Sequence, residues 1–160
     1  MTRLQNGQTF PALDVPAVGG GTINIPQSLR GSYGVVLIYR GAWCPYCRAQ
    51  LGGFQRASER LAAAGIKVVA LSVDDEATTV GTIEKFKLSL PVGHSVNAEK
   101  VAAITGAYIN DSPRYLQTTD FLLVPDGKIL NAVYSSGPLG ALVAQDVIGM
   151  VTYLKSKVAA

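Results

Sequence analysis

The stretch VVLIYRGAWCPYCRAQL, residues 35–51, decides the fold. Residues 35–39 form an apolar, β-branched run of strand length without period-two alternation, which predicts an inner strand covered on both faces. From Pro45 onward the residues favour a helix, and Pro45 suits its first turn, where a missing N–H costs no hydrogen bond. Cys44 and Cys47, the two cysteines of the chain, therefore fall at a strand-to-helix junction. A helix start offers unpaired N–H groups and the positive end of the backbone dipole, and both favour a thiolate over a thiol. With two residues between them, the second sulfur can attack a mixed disulfide formed on the first, so the pair can cycle between dithiol and disulfide.

Plainer roles for the pair are less favoured. Closing so short a loop restrains the unfolded chain by only about 2 kcal/mol, and nothing marks a secreted, disulfide-stapled domain. A structural zinc site needs about four ligands, and His94 is the sole histidine available to join two cysteines, so no metal and no cofactor are expected. Two inert buried thiols fit poorly with a Trp43-Cys44-Pro45-Tyr46-Cys47 string at a helix start.

The chain has 160 residues, of which 48% are hydrophobic and 16% charged, enough to build an ample core, and it is expected to form one domain over residues 1–160. The first residues lack the apolar run of a secretory leader, and no apolar stretch approaches the roughly 18 to 20 residues that span a bilayer. The expectation is a cytoplasmic protein without a membrane partner. Its formal charge of +3 comes from dispersed Lys and Arg, which gives no nucleic-acid face.

Around the cysteines the rest of the chain supplies a scaffold. Residues 10–16 read as extended, Gly19-Gly20-Gly21 as a turn, residues 22–25 as a short strand and residues 26–29 as one helical turn. Leu51, Phe54, Ala57 and Leu61 repeat at helical spacing from Pro45 to about Ala64, with Gly65 as the stop, and Gly52-Gly53 predicts a bend in that helix. Residues 66–73 form a second buried strand, so a right-handed βαβ unit with parallel strands is expected. Asp74, Asp75 and Glu76 then cap a helix running to about Leu88 with Val80 and Ile83 inward, and Asn97 caps another with Val101 and Ile104 buried, closed by Gly106. Residues 121–134 carry a hairpin whose turn is Pro125-Asp126-Gly127. A closing helix over residues 139–158 places Leu139, Leu142, Val143, Val147, Met150, Val151 and Leu154 on one face. The order predicts an α/β fold of thioredoxin-like plan: a central mixed sheet, helices on both faces, and an N-terminal β extension.

With these residues in hand, the chain resembles the redoxins, and among them the peroxiredoxin-like branch of the alkyl hydroperoxide reductase and thiol-specific antioxidant family. The resemblance runs over nearly the whole length, through Gly7-Gln8-Thr9-Phe10-Pro11, residues 35–39, Leu71-Ser72-Val73-Asp74, residues 101–108 and FLLVPDGKI at 121–129. It implies that Cys47 stands in the place of the peroxide-reacting cysteine. Cys44 then replaces the family's Thr or Ser, and Arg40 its Pro. The family's arginine before the hairpin strand would fall near Thr118, leaving Arg114 or Arg40 as substitutes. Against thioredoxins and glutaredoxins the resemblance instead makes Cys44 the attacking thiol. Their cis-proline would then fall near Thr119, and the buried acid of thioredoxins at about Ile38.

Three readings follow. In the first, a thiol-disulfide oxidoreductase, Cys44 attacks a substrate disulfide and Cys47 resolves the mixed species, with Cys44 expected to face solvent and Cys47 to be sheltered. In the second, a peroxidase, Cys47 reduces hydrogen peroxide or an organic hydroperoxide and condenses with the other cysteine. The third is a redox sensor without turnover. The expected partners are a cellular thiol reductant, either a thioredoxin-like protein or a low-molecular-weight thiol, and a second copy in a homodimer of the kind redoxins form. Supporting candidates are Arg40, Trp43, Pro45, Tyr46 and Thr119. Arg40 and Arg48 either add positive potential or are ordinary solvated charges, and Trp43 and Tyr46 either shape a docking surface or simply pack. His94 is a proton shuttle or a capping residue. Tyr108, Asp120 and Gln50 are further candidates for the cleft.

Overall fold

In the computed structural model, which describes residues 2–159, the apolar run before the cysteines is β3 (Tyr33–Ile38). It lies between a parallel β4 (Ile66–Leu71) and an antiparallel β8 (Thr119–Leu123), and five of its six residues are buried, as an inner strand requires. The full sheet runs β5 (Val92–Gly93), β4, β3, β8, β9 (Ile129–Tyr134). Its register sends alternate side chains into two cores. Val36, Ile38, Val69, Leu71, Phe121 and Leu123 point to one face, and Val35, Leu37, Val68, Ala70 and Leu122 to the other.

Helix α1 (Pro45–Arg56), α2 (Ser58–Ala63) and α5 (Ala144–Ala159) contribute to the second core. Over the first face lie α4 (Ala98–Thr105) and a hairpin of β1 (Leu13–Pro16) with β2 (Thr22–Ile25), followed by a 3-10 turn at Gln27–Leu29. The α/β plan with a mixed sheet, helices on both faces and an N-terminal β extension is thus the observed one. Caps fall where the sequence puts them: Asp75 accepts the Thr78 N–H at the start of α3 (Glu76–Phe86), and Asn97 accepts the Lys100 N–H at the start of α4. The Pro125-Asp126-Gly127 turn joins β8 to β9, and Gly127 sits at φ 91°, where a side chain would be strained.

Three local expectations are corrected. The bend of the first helix lies at Ala57, between α1 and α2, and Gly52-Gly53 stays helical. Gly52 serves close approach instead, because a Cβ there would meet the Arg56 guanidinium at 3.2 Å and Phe86 of α3 at 3.8 Å. The inward residues of α3 are Thr79 and Thr82, with Val80 and Ile83 only half-covered. The threonines can be buried because their hydroxyls donate to the Asp75 and Thr78 carbonyls. The last helix starts at Ala144, and Leu139, Val143 and Met150 are exposed; its buried stripe is Ala144, Val147 and Val151. A further hairpin, β6 (Ile109–Asp111) with β7 (Arg114–Leu116), has no counterpart in the sequence reading. Among the described residues no helix is long and apolar enough to cross a membrane.

Candidate active site

Beyond β3 the chain turns through Arg40-Gly41-Ala42-Trp43 into α1. Asp74, just past β4, fixes this loop by accepting the Ala42 N–H at 2.8 Å. Burial raises its carboxyl above the usual range, against the lowering effect of that hydrogen bond. Gly41 is required by space, since a Cβ there would sit 2.3 Å from the Trp43 indole nitrogen. Cys44 is the N-cap of α1, with extended backbone, and its Sγ accepts the Cys47 N–H at 3.3 Å. A sulfur thus takes the place of the usual capping oxygen. Cys47 lies one turn on and accepts the Arg40 backbone N–H at 3.4 Å.

Arg40 organises the outer side of the pair. Its Nη1 reaches Cys44 Sγ at 3.7 Å, its Nη2 donates to the Tyr115 hydroxyl at 2.7 Å, and its Nε donates to Gln117 Oε1 at 3.0 Å. The guanidinium also lies over the Trp43 ring at 4.8 Å, and Trp43 meets Tyr115 edge-on at 4.9 Å. Both sulfurs are covered, so Cys44 does not face solvent as the sequence suggested: the Arg40 guanidinium sits against it.

The two thiols are electrostatically unequal. Burial opposes ionisation of Cys44, but the Cys47 thiol and N–H and the Arg40 guanidinium outweigh it and hold Cys44 below the ordinary thiol value. Cys47 is pushed up to about 12, first by deeper burial and then by the bond its own proton makes to Cys44. The arrangement therefore carries one ionisable sulfur, Cys44, and one sulfur that keeps its proton at neutral pH.

The sequence candidates divide accordingly. Arg40 and Trp43 are gathered at Cys44; Pro45 and Tyr46 form the exposed first turn of α1. Thr119 is buried at the start of β8, donates to the Gln117 carbonyl and bonds neither thiol. Arg48 is tied to the Ala42 carbonyl, and Arg114 is paired with Glu99 and Asp111, so of these three arginines Arg40 is the one hydrogen-bonded to a sulfur. His94 bonds Ser95 and the Ala17 carbonyl, and Tyr108 lies under Arg3. Gln50 and Asp120 bond each other behind the pair. Tyr115 and Gln117 were missed, and their only sequence signal is nearness to the position where the family places its arginine. A cavity of about 410 Å³, lined among others by Leu29, Phe54, Leu61, Val68 and Leu90, contains neither cysteine, whereas Trp43 and Tyr46 expose apolar surface beside them.

Residues 6–132 match the AhpC/TSA family. The chain belongs to that family. Two relatives, both peroxiredoxins, align with it: that of Chlorobaculum tepidum is 31% identical over 54% of this chain, and that of Treponema denticola is 26% identical over 84%. These alignments span 40% and 66% of the two relatives, so the chain covers less than two thirds of either. Solved structures share the AhpC/TSA fold over a fuller length. Peroxidoxin BcpB of Mycobacterium tuberculosis superposes with a TM-score of 0.80 at 18% identity, covering 95% of this chain and 99% of the other. The reduced 2-Cys peroxiredoxin of Plasmodium vivax gives 0.81 at 11% identity, covering 97% and 99%.

Proposed function

We propose that the chain is a thiol-dependent oxidoreductase working through Cys44 and Cys47, with Cys44 as the attacking thiolate and disulfides as substrates. The observation that carries this reading is the asymmetry of the pair: Cys44 is held ionisable by the Cys47 thiol and N–H at the start of α1 and by Arg40, while Cys47 retains its proton. The Cys44 thiolate attacks one sulfur of the substrate disulfide, forming a mixed disulfide and releasing the other substrate sulfur as a thiolate. Cys47 then loses its proton and attacks Cys44 Sγ; the Cys44–Cys47 disulfide forms, and the second substrate sulfur leaves as a thiolate. Two electrons have passed from the pair to the substrate, and a cellular thiol, either a thioredoxin-like protein or a low-molecular-weight thiol, returns them. Exposed Trp43 and Tyr46 suit a macromolecular disulfide, which docks on a surface rather than in a pocket.

A second reading, peroxide reduction, is favoured by membership of the AhpC/TSA family and by the relatives called peroxiredoxins. There a thiolate takes the terminal oxygen of a hydroperoxide, an alcohol or water leaves, and the sulfenic acid condenses with the other thiol to give the same disulfide and water. In the family's place for the reacting sulfur stands Cys47, which must first lose a tightly held proton. Stopped-flow measurements on Cys44→Ser and Cys47→Ser, with hydrogen peroxide and with a protein disulfide, separate the two. Rapid mixed-disulfide formation by Cys47→Ser and slow peroxide consumption by both variants support disulfide exchange. Rapid sulfenic acid formation at Cys47 in Cys44→Ser overturns it in favour of the peroxidase.

A further inference from the structure

One turn beyond Cys47 on the same face of α1, Gln50 is turned inward and meets Asp120, a fully buried carboxyl on β8. The Gln50 amide nitrogen spends both hydrogens here, one on Asp120 Oδ2 at 2.8 Å and one on the Leu142 carbonyl at 2.9 Å. The Leu142 N–H donates to the same Oδ2 at 2.9 Å. Helix α1, strand β8 and the chain entering α5 are thus tied at one carboxyl group.

Two oxygens of this cluster have no donor, Asp120 Oδ1 and Gln50 Oε1, and both are buried. A carboxylate has nothing to give the amide oxygen, and buried acceptors are rarely left unmatched. Among the described residues, Asp120 takes no further hydrogen bond and no counter-charge acts on it. Leu37 of β3 and Val133 of β9 stand opposite Asp120 in the sheet, and α5 lends Ala144, Val147 and Val151 to the same core. The titratable side chains of α1, Cys47 among them, make no hydrogen bond to it.

We infer that Asp120 is a positioning residue that acts as a neutral carboxylic acid: Oδ2 accepts the Gln50 and Leu142 N–H groups, and a proton on Oδ1 is donated to Gln50 Oε1. The resulting acid–amide pair clamps the helix that carries Cys44 and Cys47 against β8 and the chain entering α5. One proton gives both orphaned oxygens a partner. Burial, only partly offset by the Leu142 and Gln50 donors, pushes the carboxyl up to about 7, so the clamp is closed in mildly acidic solution and loosens as Asp120 ionises through neutrality. Its consequence for turnover rests on the proposed role of the cysteine pair; the clamp itself does not.

The test follows the Asp120 side-chain carbon by NMR, and amide hydrogen exchange along α1, in the reduced full chain from about pH 6 to about pH 9, with exchange corrected for its intrinsic pH dependence. Asp120→Asn is the decisive variant, because an asparagine oxygen keeps the two acceptor contacts and its N–H stands where the acid O–H stood. The expected result is a carboxyl midpoint near neutrality, a several-fold loss of α1 protection in the natural protein across that midpoint, and full protection in Asp120→Asn throughout. Gln50→Leu should expose α1 to exchange at every pH. A carboxyl titrating in the ordinary aspartate range, or an Asp120→Asn variant in which α1 is unlocked, overturns the inference. Neither readout needs turnover, so a protein inactive on disulfides and peroxides that still shows the carboxyl step refutes only the proposed function.

Discussion

The resemblance to the family puts Arg40 in the place of a proline, and its guanidinium meets four side chains at once: Cys44, Tyr115, Gln117 and Trp43. A positive charge near the cysteines could be read from the sequence, but its partners Tyr115 and Gln117 could not, since they arrive from β7 and the residue that follows it, more than 70 residues away. Replacing Arg40 by Met removes a charge-assisted donor of the kind worth roughly 1.5–3 kcal/mol. The alkylation profile of Cys44 should shift to higher pH, and its rate at neutral pH should fall on the order of tenfold. Asp120 is the opposite case, an acid whose proton is favoured by the fold. Its folded value, about 7, lies above the ordinary carboxylate value, so the folded state holds the extra proton between the two. The stability this contributes is complete below about pH 4 and is lost as pH rises to about 7, on the order of 4 kcal/mol in all. Urea unfolding of the natural protein and of Asp120→Asn should therefore diverge with rising pH across that window and run parallel above it.

The elements most legible in the sequence are those fixed by local signals. The βαβ unit, the Asp75 and Asn97 caps and the Pro125-Asp126-Gly127 hairpin each follow from neighbouring residues. Where a distant group decides, the reading failed. Leu139, Leu142 and Val143 have helical spacing, yet the Leu142 backbone is taken by Asp120 and Gln50, and α5 begins only after it. The glycine pair in α1 was read for flexibility, but Gly52 is there for closeness to Arg56 and α3. This distinction is measurable. A Cβ on Gly53 would find only the Arg56 guanidinium, at 3.8 Å, so Gly53→Ala should stabilise the protein by about 0.5–1 kcal/mol through helix propensity. Gly52→Ala must displace Arg56 at 3.2 Å and should gain less, which paired thermal melts would show.

Across the whole molecule, the sheet divides two cores, and Cys44 and Cys47 belong to the one filled by α1, α2 and α5. That division was implied by the uninterrupted apolar run of β3, which needs cover on both sides. Because the pair is built into a core, its chemistry and the stability of the fold share one thermodynamic cycle: the gap in unfolding free energy between dithiol and disulfide forms is the redox preference that folding imposes on the pair. Cys44 is depressed in the folded dithiol, so its contribution is present above the ordinary thiol value near 9 and is lost as pH falls through its folded value. Cys47, raised to about 12, acts in the other sense once pH exceeds that ordinary value. The gap between the melting temperatures of the two forms should thus shift in favour of the dithiol as pH rises toward about 9, and shift back beyond it. The buried placement of two sulfur atoms turns a calorimeter into a potentiometer, reading the redox preference of the pair without any substrate present.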